Sequence, residues 1–256
     1  MKHLFEETRV LNSLLDKEKV LLMLDYDGTV VPIAKTPAQA VLSGTSRKIF
    51  EKAAGSPLLR LAFISGRSLS EIKKMAAIDG ISYAGNHGLE IEGPGISFVH
   101  KKAQALSGEL RALFGELSKK LCDHKGVLVE DKDLSISVHF RLAHPSCEKR
   151  IISEVKDAVN NKKFRLSSGK KVVEIRPRIR WNKGNAAKVL MRRFKGYYPV
   201  YLGDDRTDED AFSAIKKKGL TIFVGQPKKT LAAYCLKDHQ EVRSLVKMIE
   251  QRNKKR

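Results

Sequence analysis

Residues 20–24, Val-Leu-Leu-Met-Leu, run without a polar side chain straight into two carboxylates two positions apart, Asp25 and Asp27. An unbroken apolar run of that length suits a strand buried on both faces, which belongs in a parallel sheet covered by helices. The chain must leave such a strand at the carboxyl edge of the sheet, beside the crevice where these sheets bind ligands. In extended backbone, residues i and i+2 point to the same side, so the sequence predicts two like charges facing one space. They repel unless a cation or a shared proton intervenes. Mg²⁺ suits the position, because it takes hard oxygen ligands, often one or two carboxylates together with a phosphate. Gly28 permits a sharp turn after the pair, and Thr29 offers a hydroxyl and an amide to an oxyanion. A surface turn whose aspartates cap a helix, or a fragment of a calcium loop, accounts for the same few residues. The pair alone therefore leaves the chemistry open.

The rest of the chain alternates in the way such a sheet requires. A helix is predicted over 46–54, stopped by Gly55; a strand over 61–64; a helix opened by a Ser68–Glu71 capping box; and a strand over 81–84. Towards the other end come a helix over 183–195, a strand over 199–202, a helix over 208–218 and a strand over 221–224, and then a final helix capped by Asp238 and Glu241. The middle breaks the pattern. One long amphipathic helix over 103–121 is followed by two strands within 126–142, a helix over 146–160 opened by Pro145, and a hairpin over 162–177 turned at 167–169; the tail QRNKKR is expected to fray. The fold class predicted is α/β, a Rossmann-like parallel-sheet core, residues 1–102 and 178–256, carrying an inserted α+β unit at 103–177.

Three further segments bear on the acidic pair. Ser65-Gly66-Arg67 follows a strand and precedes a helix, where a small hydroxyl donates to phosphate oxygens; Ser-Gly is also an ordinary turn. Lys183 opens a helix, where it can neutralise a phosphoryl group or be one more surface lysine. GDDRTDEDAF, 203–212, crowds Asp204, Asp205, Asp208, Glu209 and Asp210 into a chain of formal charge +20. Helix capping explains one of those acids and the helix dipole about two, and a bound cation explains the group.

Composition narrows the partners. With 42% hydrophobic residues the chain can build a core. Three scattered cysteines without a Cys-x-x-Cys indicate neither a disulfide framework nor a thiolate metal site. No signal-peptide core and no apolar run near the roughly 20 residues of a membrane span is present, so a soluble cytoplasmic protein with no membrane partner is expected. The excess of 49 Lys+Arg over 29 Asp+Glu attracts polyanions through a long-range field. A nucleic-acid-binding protein is the rival reading from another class. It calls for basic residues clustered with stacking aromatics, whereas aromatics are only 7% and Lys/Arg are spread from end to end; no specific nucleic-acid partner is expected.

Asp25-Tyr-Asp-Gly-Thr29, Ser65, Lys183 and Gly203-Asp-Asp-x-Thr-Asp208, in that order and each at a strand end or helix start, resemble the haloacid dehalogenase superfamily of phosphatases. GNHGLE (85–90), VEDKDLSISVHFR (129–141), VEIRP (173–177) and GDDRTDE (203–209) resemble, more closely, the trehalose-6-phosphate phosphatases within it, and the insert matches that family's cap domain. Tyr26 stands where phenylalanine is common, and Asn182 where an aspartate often precedes the lysine. The resemblance implies a Mg²⁺-dependent phosphatase working through an aspartyl-phosphate. Asp25 would be the nucleophile and Asp27 the general acid and base. Thr29, Ser65 and Lys183 would hold the phosphate. The metal set implied is Asp25, Asp27 through its carbonyl, Asp204 and Asp208, the last orienting bound water or Lys183. Sugar-reading residues implied are Glu130, Lys132, Glu174 and Arg176 in the insert, with Arg67, Asn86 and His87 in the core; His139 and Arg141 would assist phosphate or cap closure. The substrate is then a small-molecule sugar phosphate, trehalose 6-phosphate before sucrose-phosphate or mannosyl-phosphate alternatives. A monomer is expected, served by a separate trehalose-phosphate synthase.

Overall fold

The computed structural model describes residues 1–34, 36–159, 162–169, 171–226 and 228–254. In chain order the elements are β1 (Lys2–His3), α1 (Thr8–Leu15), β2 (Val20–Leu24), α2 (Gly44–Ala54), β3 (Leu59–Ile64), α3 (Leu69–Ala76), β4 (Ser82–Gly85), β5 (Glu90–Gly93) and β6 (Ile96–Val99). Then follow α4 (Lys101–Gln104), α5 (Ser107–Lys120), β7 (Leu128–Asp131), β8 (Ile136–His139), α6 (Glu148–Ala158), β9 (Phe164–Gly169) and β10 (Val172–Pro177). The chain closes with α7 (Lys183–Arg193), β11 (Tyr198–Gly203), α8 (Glu209–Ile215), β12 (Leu220–Val224), β13 (Tyr234–Leu236) and α9 (His239–Lys254). Two compact units result: Met1–Phe98 together with the chain from Trp181 onward, and Val99–Arg180.

The first unit is built on a sheet of order β1-β13-β12-β11-β2-β3-β4-β5-β6. Pairing is parallel from β1 to β4, and β5 turns back antiparallel on β4. Five consecutive apolar residues are explained by β2 being central. Val20, Leu22 and Leu24 pack on one face with Phe50 of α2 and Val242, Leu245 and Val246 of α9. Leu21 and Met23 pack on the other with Ala186, Ala187 and Leu190 of α7 and Phe212 of α8. Each such fully buried leucine contributes about 1.5–3 kcal/mol relative to exposure. From β2 the chain builds outward through β3 and β4, and from β11 in the opposite direction through β12 and β13. The order therefore switches between β2 and β11, and the crevice of such a sheet opens at that switch, beyond the strands' carboxyl ends.

The second unit is a four-stranded antiparallel sheet of order β7-β8-β10-β9. Ile136, Val138, Val173, Ile175 and Phe164 face Leu110, Leu113 and Leu117 of α5 and Ile151 and Val155 of α6. Period-two alternation then puts Glu130, Ser137, Glu174 and Ser167 on the opposite face, in one cross-strand row.

Three local expectations are corrected. The helix predicted over 103–121 is two, α4 and α5, because the Ser107 hydroxyl bonds the Gln104 carbonyl at 2.8 Å and ends the first. The hairpin does not turn at 167–169: those residues stay in the ladder, Gly169 paired with Val172, and Lys170 lies outside the described residues. The tail is helical through Lys254 as the end of α9, with 255–256 outside the described residues.

Candidate active site

The two aspartates do not face one another. The Asp25 amide still bonds the Leu202 carbonyl of β11 at 2.9 Å, which fixes its carboxylate over the switch point. That side chain is 7% exposed and meets Lys183 Nζ at 2.8 Å. Asp27 turns instead to Arg67, whose Nε and Nη2 donate to its two carboxylate oxygens at 2.7 and 2.8 Å. The like charges are thus separated onto two different cations. Between them Tyr26 is fully buried beside Phe63. Gly28, at φ 92°, completes the turn; a Cβ there would lie 2.2 Å from Asp204 Oδ2.

Lys183, at the first turn of α7, bridges Asp25 Oδ1 and Asp208 Oδ1 at 2.8 Å each, with its side chain 3% exposed. The Asn182 side chain caps α7 by accepting the Asn185 amide at 3.1 Å, so asparagine does the capping that an aspartate there would do. Burial works against the charge on Lys183, but Asp208 and Asp25 outweigh it and hold its pKa well above the usual lysine value. Asp25 is pushed well above the carboxylate range by burial, with Lys183 pulling it down and Asp208 and Asp204 pushing it up. Asp204 is raised to about 6 by burial and by the charges of Asp208 and Asp205.

Much of the acid-rich turn has structural work. Asp208, with no exposed surface, accepts from Lys183 and the Tyr201 hydroxyl (2.7 Å) on Oδ1, and from the Asp204 and Asp205 amides (3.0 Å each) on Oδ2. Asp205 accepts from the amide and hydroxyl of Thr207 at 2.7 Å. Glu209 bonds Thr230 and the Leu231 amide. Asp204 is left pointing at the crevice, touched by the Thr29 hydroxyl at 3.3 Å. Asp25, Asp204 and Asp208 bring one carboxylate oxygen each within 4.8 Å of one another. These are hard donors whose crowding a divalent ion relieves, the donor set Mg²⁺ takes. Asp27, expected in the metal set through its backbone carbonyl, gives its carboxylate to Arg67, which leaves that carbonyl uncommitted by its side chain.

The loops after β3 and β4 add the polar wall. Ser65 is buried at the end of β3 and accepts the Arg67 amide at 3.2 Å. Arg67 also donates to the Pro37 carbonyl at 2.9 Å and pairs with Glu71, so its head is committed to Asp27 and its neighbours, not laid out as the sugar contact expected. Asn86 and His87 follow β4 and both adopt left-handed backbone, φ 49° and 55°. Glu90 Oε1 accepts from the Asn86 amide group and from the Leu69 amide at 2.8 Å, tying the loop to α3. The His87 ring lies where any Cβ on Gly66 would come within 2.9 Å of it. As site residues Tyr201 and Glu90 escape sequence reasoning, and Glu71, read there as half of a capping box, pairs with Arg67. Tyr201 carried a signal: a tyrosine within a buried strand needs a partner for its hydroxyl.

In the second unit, Glu130 sits 2.9 Å from His139 Nε2 and 3.7 Å from Lys132 Nζ. Glu174 lies 3.7 Å from Arg176 Nη1 and 3.5 Å from the Ser167 hydroxyl. Lys132 and Arg176 are buried. Arg141 lies just beyond the end of β8. No described helix is long and apolar enough to cross a membrane.

The chain is similar to known proteins in both sequence and fold. The family model for trehalose-phosphatase matches residues 23–240. Trehalose-phosphate phosphatase B of Arabidopsis thaliana is 33% identical over 277 residues, covering 98% of this chain and 71% of that protein. The crystal structure of a trehalose-6-phosphate phosphatase related protein superposes with a TM-score of 0.81 at 26% identity, covering 90% of this chain and 97% of its own. A haloacid dehalogenase-like hydrolase from Bacteroides thetaiotaomicron shares the fold at TM-score 0.60 and 16% identity, covering 90% of this chain and 99% of its own. With a parallel α/β core of haloacid dehalogenase type and a family match across most of its length, the chain belongs to the trehalose-phosphatase family.

Proposed function

We propose that the protein hydrolyses trehalose 6-phosphate to trehalose and phosphate, with Mg²⁺ held by Asp25 and Asp204 and an aspartyl-phosphate formed on Asp25. The observation that carries this reading is the buried Asp25–Lys183–Asp208 bridge with Asp204 beside it at the switch point. The bound ion supplies positive charge to the phosphate and to the crowded carboxylates. Asp208 has four protein donors already, which is the hydrogen-bonding capacity of a carboxylate; we give it the role of fixing Lys183 and the acid-rich turn.

Lys183 holds Asp25 through Oδ1, and the other oxygen attacks phosphorus in line. The phosphorus–oxygen bond to the sugar breaks and Asp27 delivers a proton to the leaving oxygen. Asp27 then takes a proton from the water that attacks the aspartyl-phosphate, which frees phosphate and restores Asp25. Carrying that proton requires Asp27 to loosen at least one of its two bonds to Arg67, so Arg67 aims the acid and is not itself a sugar contact. Thr29, Ser65 and Lys183 take the remaining phosphate oxygens. Accelerations of phosphate-monoester hydrolysis reach about 10²¹-fold, which no single group supplies; charge, alignment and exclusion of water must act together. Reading of the disaccharide is assigned to Glu130, Lys132, Glu174 and Arg176, assisted by Asn86 and His87. Each carboxylate can accept more than one hydroxyl proton and the lysine donates to an oxygen. The scheme takes the protein as a cytoplasmic monomer fed by a separate synthase that makes the phosphorylated disaccharide.

A phosphate-release screen over sugar phosphates, with Mg²⁺ and with chelator, tests this reading. Trehalose 6-phosphate should be turned over fastest, ahead of sucrose and mannosyl phosphates, and chelation should abolish release. Indifference to the sugar, or to the chelator, would refute it.

A further inference from the structure

We propose that His139 is a positioning residue, whose imidazole fixes the Glu130 carboxylate and so sets which sugar phosphates are turned over. This rests on Glu130 reading the sugar, as proposed above.

The sheet register makes the contact. Glu130 on β7 faces Ser137 on β8, and Ser137 faces Glu174 on β10. One row thus carries an acid at each side of a small residue. His139 lies two residues beyond Ser137 on the same face, paired with Leu128 and Val172. Within β8, Ile-Ser-Val-His, it is the only side chain long and polar enough to reach across to a neighbouring acid. It does so diagonally: Nε2 stands 2.9 Å from Glu130 Oε2, and Lys132 Nζ approaches the same oxygen at 3.7 Å. Donation to a carboxylate requires the proton on Nε2, which both the imidazolium and one neutral tautomer provide. Glu130 is thereby gripped along its strand, from His139 at one side and Lys132 at the other.

A glutamate that must accept sugar hydroxyls has three torsions to freeze. Holding it beforehand lowers the ordering cost of binding, and does so for substrates that use it and for no others. His139 therefore acts on discrimination between substrates without touching the phosphate or the sugar.

The test compares kcat/KM on trehalose 6-phosphate with kcat/KM on an aryl phosphate, for His139→Leu, His139→Gln, His139→Asn, Glu130→Ala and the His139→Leu/Glu130→Ala pair. Loss of a hydrogen bond to a charged group predicts a fall of about 10- to 100-fold in this ratio for His139→Leu. Gln places a donor near the position of Nε2 and should restore most of the ratio; Asn falls short and should not. The double variant should be no worse than Glu130→Ala, because the two residues act as one unit. An unchanged ratio in His139→Leu, losses that multiply in the double variant, or equal behaviour of Gln and Asn would each overturn the proposal. If His139→Leu does not fold, the Gln and Asn pair decides alone. A wild-type enzyme with no preference for trehalose 6-phosphate over the aryl phosphate would overturn the sugar-reading assignment itself.

Discussion

Replacing Lys183 with methionine keeps an unbranched side chain, one atom shorter, and removes its charge. In the structure that charge is shared by two buried carboxylates, Asp25 and Asp208, at 2.8 Å each. Removing one partner of a buried ion pair costs about 3–5 kcal/mol, since the remaining charge stays desolvated. For a unit of this size each kcal/mol moves the melting temperature by about 2–4 °C, so a drop of roughly 6–20 °C is expected in the absence of Mg²⁺. The pH dependence follows from the sign of the shifts. Asp25 and Asp208 already titrate above their ordinary value through burial, with Lys183 opposing. Without Lys183 they rise further, so the folded chain binds more protons than the unfolded one above the ordinary carboxylate pKa. Stability then falls as pH rises through that window. The deficit of Lys183→Met against wild type should accordingly be larger near about pH 8 than near about pH 5. Thermal unfolding followed by circular dichroism, at both pH values and with and without Mg²⁺, reads all of this, and Mg²⁺ should stabilise the variant more than the wild type. Phosphate release should fall by about 10²–10³-fold. A variant that melts within a degree or two of wild type at both pH values would refute the assignment of Lys183 as the counter-ion of the two carboxylates.

Protons compete with Mg²⁺ for Asp204, whose pKa is about 6; calorimetric Mg²⁺ affinity should rise as pH increases through about 6 and level off above it, and an affinity flat in pH would contradict Asp204 as a ligand. Arg67→Lys keeps the charge but not the two-pronged hold on Asp27, so kcat on trehalose 6-phosphate should drop by about tenfold or more with KM little moved; a change confined to KM would point back to a sugar contact. Gly28→Ala places a methyl group 2.2 Å from Asp204 at φ 92°, and should weaken Mg²⁺ binding by at least about tenfold while costing about 1–3 kcal/mol in backbone strain; unaltered Mg²⁺ affinity would show that the turn does not shape the site.

Those parts of the fold set by burial were legible from the sequence. The limits of β2 come out as read because all five side chains are enclosed on both faces of the sheet, leaving a run with no alternation. The edge strand β1 and its neighbour β13 were not, since two and three residues cannot show a period; nor was the β5–β6 extension, whose half-exposed pattern resembles a loop. In the site, the segments that gather around Asp25 could be seen, but not the directions of their side chains. Arg67 finds Asp27 across 40 residues of sequence, and only packing tells which acid it meets. The acids of 203–212 were read together as calling for a cation, whereas Asp205, Asp208 and Glu209 are engaged by protein donors and Asp204 is the one turned to the crevice.

Everything in the proposed reaction passes through a covalent bond on Asp25. Acid-quenching the enzyme during turnover of trehalose 6-phosphate labelled in its phosphate, then mapping the label along the chain, examines that bond directly. Label on the peptide that contains Asp25, dependent on Mg²⁺ and missing from a folded Asp25→Asn variant that releases no phosphate, is the predicted result. Wild-type-like phosphate release by Asp25→Asn, or label carried by a different residue, would contradict it.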